Sequence, residues 1–148
     1  MYSITGLGTL GGTESNAMDI NALGHVTGYA VTPSTRNHAF LWDGSMHDLG
    51  ALSGGTSYGQ LIDNRDWVVG QSIANDGSDH SVLFHGGNVV DYGVVGSYSG
   101  DDLKIKDKAT NSSGETIGQF WTESGEYHAG VYIDGELVKY PFFKTPIE

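Results

Sequence analysis

The chain has no cysteine, so its fold contains no disulfide and none of its sites uses a thiolate or a cysteine-ligated metal. Only 3 of its 148 residues are proline, which argues against a disordered proline-rich tract. No apolar run is long enough to cross a membrane, and the N-terminus lacks the basic and apolar regions of a signal peptide. We therefore expect no membrane partner, and a cytoplasmic address is compatible with these features.

Positive charge is also scarce. The chain has 7 Lys and Arg residues and 18 Asp and Glu residues, which give a formal net charge of −11. A protein that binds nucleic acid must neutralise phosphates with basic side chains, so this balance predicts no direct nucleic-acid binding. The same charge suits an alternative function, an acidic inhibitor that occupies the basic cleft of a nucleic-acid-handling protein.

Glycine, by contrast, is abundant, at 23 residues. Together with scattered Val, Ile, Thr, Tyr and Trp, it is typical of short strands joined by tight turns. No segment shows a sustained helical period with start and stop signals. The composition predicts an all-β protein in a single domain.

An internal repeat organises this domain. Two blocks recur in one register at steps of 42 and 48 positions, and a third block closes each unit at steps of 43 and 48. They are NALGHVTG at 21–28, DNRDWVVG at 63–70 and NSSGETIG at 111–118; HAFLW at 38–42, HSVLF at 80–84 and HAGVY at 128–132; and MHDLG at 46–50, VVDYG at 89–93 and LVKYP at 137–141. We predict an opening strand at residues 2–8 and three four-stranded units at about 13–50, 56–93 and 101–143.

The second block decides between architectures, because both faces of its strand are apolar by the period of two. A strand buried on both sides belongs to a sheet packed between other layers, as in stacked propeller blades. Gly28, Gly70 and Gly118 suit the close approach of a neighbouring sheet. We predict β-propeller-like blades, with a β-trefoil or β-prism as the alternative. Three blades would leave apolar faces open, so we expect a homodimer.

The repeated residues resemble the HAF-repeat family, often described as probable extracellular repeats. The likeness lies in HAFLW at 38–42, Met46, DLG at 48–50, LGTLGGT at 7–13 and VVGQS at 68–72, and it covers roughly residues 2–93. The resemblance implies a repeat-built, propeller-like scaffold and an extracellular address. It implies no catalytic residue.

Motifs that suggest chemistry have a structural interpretation here. GLGTLG at 6–11 and GTSYG at 55–59 match dinucleotide and nucleophile-elbow patterns, but both mechanisms need a following helix, which is not predicted. His38, His80 and His128 occupy one repeat position, and we predict a structural role for them rather than a metal site. We predict no cofactor, no metal and no enzymatic activity; an enzyme with an unrecognised site is the remaining alternative.

The binding surface is expected at aromatic residues outside the core columns of the repeat. These residues are Tyr58, Trp67, Tyr98, Trp121 and Tyr127. Aromatic side chains stack on sugar rings and anchor protein partners. The sequence thus predicts a non-catalytic binding or interaction module whose ligand is a glycan or a protein.

Overall fold

The computed structural model describes residues 1–94 and, as backbone alone, four strands beyond them. The first sheet contains four antiparallel strands in sequential order. They are β1 (Ser15–Ile20), β2 (Val26–Val31), β3 (Asn37–Trp42) and β4 (Met46–Asp48). A 3-10 turn at Leu52–Gly54 leads to the second sheet, which repeats this order with β5 (Ser57–Ile62), β6 (Val68–Ile73), β7 (Asp79–His85) and β8 (Asn88–Val94).

A further set of strands pairs antiparallel in the order β12–β11–β10–β9. These strands are β9 (Leu103–Lys104), β10 (Thr116–Trp121), β11 (Tyr127–Ile133) and β12 (Glu136–Val138). They fall within the predicted third unit. Tyr98 lies outside the described residues.

The all-β prediction is confirmed, since the described part of the chain forms antiparallel sheets and contains no α-helix. Within that part, no helix is long and apolar enough to span a membrane. The opening strand predicted at residues 2–8 is not formed, because the first strand begins at Ser15. The pattern that suggested a strand reflects packing instead: Leu7 contacts the core cluster of the first sheet.

In the first and second sheets, the turn between the first two strands is built by a side chain that the repeat preserves. Asn21 Oδ1 accepts hydrogen bonds from the backbone N–H groups of Leu23 and His25. At the equivalent position, Asp63 Oδ1 accepts them from Arg65 and Trp67. Side-chain oxygens of Asn and Asp stabilise such turns by replacing a backbone acceptor, which explains why the repeat places Asn or Asp here.

The repeated glycines permit a close approach of the backbone within each of the first two sheets. An ideal Cβ at Gly28 would lie 1.9 Å from the backbone oxygen of Asn16, and one at Gly70 would lie 1.9 Å from that of Tyr58. Both oxygens belong to the paired strand of the same sheet, next to a bulge in that strand. The tightest approach is therefore made within one sheet. The neighbouring sheet also comes close at Gly28, whose carbonyl oxygen would lie 2.9 Å from a Cβ at Gly59 of β5.

The second sheet packs its first strand, β5, against β1, β2 and β3 of the first sheet. Between the sheets lies an apolar cluster to which the first contributes Ala39 and the second Ile62, Val68, Val82 and Phe84. Ser57 is fully buried at this junction. Its Oγ accepts a hydrogen bond from Ala39 N at 2.8 Å, and its hydroxyl donates to the carbonyl oxygen of Gly50. Face-to-face stacking thus buries the second face of the strands.

We expect Gly70→Ala to destabilise the fold by about 3 kcal/mol, because the added methyl group must push two paired strands apart. Gly6→Ala is the matched control, since a Cβ at Gly6 meets no atom within 4 Å. Urea unfolding followed by tryptophan fluorescence measures both effects. Equal stability of the two variants would contradict the steric explanation.

Candidate functional site

On one face of the first sheet the strand β1 is uncovered, although the equivalent strand of the second sheet is buried. Ile20 in β1 is 63% exposed, whereas Ile62, the residue 42 positions later in β5, is 4% exposed. Met18 in β1 is 40% exposed. In the second sheet this face is covered by strands of the first sheet. We call the uncovered surface of β1 the end face.

The apolar cluster behind the end face corresponds to the cluster between the two sheets, but no preceding sheet covers it. Val26, Ala30 and Phe40 are buried there, and Leu7 and Leu10 pack against them. In the second sheet, Leu49 and Leu52 make the corresponding contacts. The repeat therefore extends back to residue 7, and what the first sheet lacks is a preceding sheet.

An open groove of roughly 520 Å³ runs between the N-terminal segment and the end face. Its lining residues are Thr5, Leu7, Ala17, Met18, Asp19, Ile20 and Val26. Most of them are apolar, and they are contiguous. Contiguous exposed apolar surface is typical of an interaction site rather than of a solvated face.

A polar seam next to the apolar cluster shows how one unit recognises the next. Asn21 Nδ2 donates to Asp66 Oδ1 at 2.8 Å and to the carbonyl oxygen of Asp63 at 2.9 Å. His25 Nδ1 lies 2.8 Å from Asp66 Oδ1. Asp66 adopts a φ of 64°, in the left-handed region that favours glycine, and Gly24 holds the equivalent place in the first unit. Its contacts across the junction explain why a residue other than glycine is held there.

In a second part of the seam, backbone N–H groups of each unit donate to side chains of the other. Ile62 N donates to Asp19 Oδ2 at 2.9 Å, and Ala22 N donates to Asn64 Oδ1 at 2.9 Å. These contacts fix the register of the two sheets, because each joins one side chain to one backbone position. Apolar burial and directional hydrogen bonds together define the junction.

The predicted binding aromatics are engaged within the protein wherever the structure describes their side chains. The ring of Tyr58 packs edge-on against Tyr29, with centroids 5.0 Å apart. Trp67 stacks on His85 at 4.3 Å, and the guanidinium of Arg65 lies 4.0 Å from its centroid. The indole of Trp67 is therefore already engaged by two neighbouring side chains. For Trp121 and Tyr127, which pair across β10 and β11, only the backbone is described.

The repeated histidines bind carboxylates of their own sheet. His38 Nδ1 lies 2.9 Å from Asp48 Oδ1, and His80 Nδ1 lies 2.8 Å from Asp91 Oδ1. Both carboxylates, those of Asp48 and Asp91, are exposed. The pairing tethers the last strand to the third in the first and second sheets. The third unit has Lys139 at the position of these carboxylates, and the side chain of His128 is outside the described part.

The second unit adds a serine to this pair, an arrangement that the sequence analysis missed. Ser78 Oγ lies 3.0 Å from His80 Nε2, so that Ser78, His80 and Asp91 form a chain of the kind found in acyl-transfer enzymes. Asp76 alters its chemistry, because Ser78 Oγ also donates to Asp76 Oδ1 at 2.5 Å. A hydroxyl has one proton to donate, and the hydroxyl of Ser78 donates it to Asp76 rather than to His80.

The carboxylate of Asp76 also opposes nucleophilic catalysis at Ser78. Hydrogen bonds from the side chain and the backbone N–H of Ser78 lower the pKa of Asp76 below its ordinary value of 3.8. The carboxylate is therefore ionised at neutral pH, and it would repel the oxyanion that forms during acyl transfer. The equivalent residue of the first unit is Arg36, so the repeat does not preserve the serine. The arrangement is best explained as a turn that stabilises the start of β7.

Metal ligands do not converge within the described residues. No group of three or more His, Asp or Glu side chains there is arranged to hold a metal ion. His38 and His80 instead use Nδ1 for the carboxylate of their own sheet. The end face is the feature of the described structure with an unmet physical requirement.

Comparison of the chain with protein-family models, with curated proteins and with solved structures finds no match.

We expect Ser78→Ala to raise the pKa of Asp76 towards 3.8, because the substitution removes the side-chain hydrogen bond that lowers it most. Carbon-detected NMR titration of the side-chain carboxyl measures the midpoint. Asp43 provides an internal control, since its pKa is lowered by His47 and should not change. An unchanged Asp76 midpoint would contradict the assigned hydrogen bond.

Proposed function

We propose that this protein is a non-catalytic interaction module that binds a protein partner through the end face of its first sheet. The observation that carries the proposal is the contrast between two equivalent residues, Ile20 at 63% exposure and Ile62 at 4%. The repeat places the same apolar residue at both positions, yet only one is covered. Covering the other stabilises a complex by roughly 25 cal/mol per Å² of apolar surface removed from water.

The scaffold we propose is a stack of three repeat units with propeller-like packing, as the resemblance to HAF repeats implies. Its support is the relation between the first two sheets, which share strand order, turn chemistry and core positions and stack face to face. Propellers close with four to eight such units. A three-unit stack is therefore incomplete alone, and its open end is the natural place for a partner.

A protein ligand agrees better with the structure than a glycan. Tyr58 and Trp67, the aromatics that would stack on sugar rings, already pack against neighbouring side chains. The end face has the mainly aliphatic lining that another packed sheet requires. The acidic-inhibitor alternative depends on the net charge of −11. It predicts a strongly basic partner and binding that weakens steeply with salt.

A photo-crosslinking amino acid tests the surface directly. Met18 lines the groove and is replaced by benzoylphenylalanine. Irradiation of this variant, either purified or in cell lysate, should couple it covalently to its protein partner. The same amino acid in place of Leu23 is the matched control, since Leu23 is 61% exposed and lies in a turn beyond the groove lining. Mass spectrometry then maps each adduct to a segment of the partner.

An adduct formed from position 18 and not from position 23 supports the end face as the binding surface, whichever protein is captured. Adducts in equal yield at both positions, or none at either, would show that the face is merely solvated. Binding to a glycan array without any protein adduct would replace the proposal with a glycan ligand.

A further inference from the structure

We propose that the occupant of the groove is the third repeat unit of a second copy of this chain, so that two copies associate head to tail around a two-fold axis. This inference rests on the proposed function, since it names the partner of the same end face. The argument uses the junction between the first and second sheets as a template for the missing contact.

The template specifies which part of a unit covers this face. At the internal junction, β1, β2 and β3 of the first sheet lie on β5 of the second. Ala39 and Leu41 of β3 are the side chains that join the apolar cluster of the second sheet. By this template, the end face receives the first three strands of a unit, with small and aliphatic residues at these two positions of the third strand.

The third repeat unit has the same pattern of a small and an aliphatic residue at these two positions. Ala129 and Val131 hold the repeat positions of Ala39 and Leu41, on the strand β11 that pairs with β10. A unit with the required pattern is thus present in every copy at the opposite end of the chain from the groove. When each copy places its third unit on the first unit of the other, the contact occurs twice and the assembly closes with six units.

The N-terminal segment must move for this docking. By the repeat, residues 4–6 correspond to β4, the strand that pairs with β3 at the internal junction. A docked third unit brings its own strand, β12, to that place. Residues 1–6 are exposed, with Tyr2 and Ile4 almost fully accessible to solvent. Their displacement therefore uncovers little surface, whereas Leu7 remains in the core.

Sedimentation velocity with charge variants tests the dimer. Wild-type protein at micromolar concentration should have twice the mass of the 15.8 kDa chain. Ile20→Asp should weaken association by roughly tenfold or more, because docking would bury an unpaired carboxylate. Leu23→Asp introduces the same charge at a similarly exposed residue outside the groove and should leave the mass unchanged. Circular dichroism checks that both variants are folded.

A mixing experiment identifies the contacting unit, and the absence of native cysteine makes it direct. One chain carries Ile20→Cys and the other Ala129→Cys, the equivalents of two residues of the internal cluster. A short bismaleimide should couple the mixed chains efficiently and couple either variant alone poorly. The pair Leu23→Cys and Ala129→Cys is the control for random collision.

Removing residues 1–6 distinguishes docking of a complete unit from exchange of a strand. Because these residues occupy the place of β12, their deletion should strengthen the dimer or leave it unchanged. A monomeric wild-type protein, a dimer insensitive to Ile20→Asp, or loss of the dimer on truncation would each overturn the proposal. A photo-adduct from position 18 with a different protein alone would retain the binding surface and overturn the second copy as its occupant.

Discussion

The structure depends on one constraint: a strand with apolar side chains on both faces needs a cover on both sides. The third strand of each sheet has this property, since β3 contributes Phe40 to one cluster and Ala39 to the next. A single sheet cannot meet the requirement, so the units stack. Stacking in turn decides the length of the connectors, because Leu49 and Leu52 must leave one sheet and pack against the next. Every stack that does not close has an end at which the requirement is unmet.

Hydrogen bonds make this stacking specific. Apolar clusters alone would permit two sheets to slide past each other, since the attraction between apolar side chains has little directionality. Ser57 prevents sliding by bonding backbone groups at Ala39 and Gly50, and it does so where no water reaches. The seam of Asn21, His25 and Asp66 acts at the edge of the same junction. A buried donor left unpaired would cost about 1–3 kcal/mol, so a shifted register is strongly disfavoured.

The histidine–carboxylate pairs illustrate how a repeat position acquires local chemistry without a function of its own. The pair of His38 and Asp48 joins neighbouring strands of one sheet, and that of His80 and Asp91 does the same in the next. Ser78 then produces a triad-like geometry in one unit simply because it lies two residues before His80, on the same side of the chain. Asp76 completes a turn and removes the nucleophilic character of that serine. Recurrence across units was the better guide to its role than geometry.

Much of the fold was predictable, because turn chemistry and alternating patterns are local properties. The strands β3 and β7 extend no more than one residue beyond the second repeat block at 38–42 and 80–84. Asn21 and Asp63, which open the first block, build equivalent turns. The end face was not predictable residue by residue. Ile20 and Ile62 are the same residue type at the same repeat position, and the presence of a sheet in front of one of them makes their burial differ.

The sequence by itself determined the strand order within a unit, the turns and the number of apolar faces, since each follows from neighbours along the chain. Tertiary structure alone decided which carbonyl oxygen makes Gly28 and Gly70 necessary, which partners occupy Tyr58 and Trp67, and that residues 2–8 form no strand. These outcomes depend on which atoms of distant segments meet in space. A pattern of residue types records the preference of each position for burial, but it does not record what covers it.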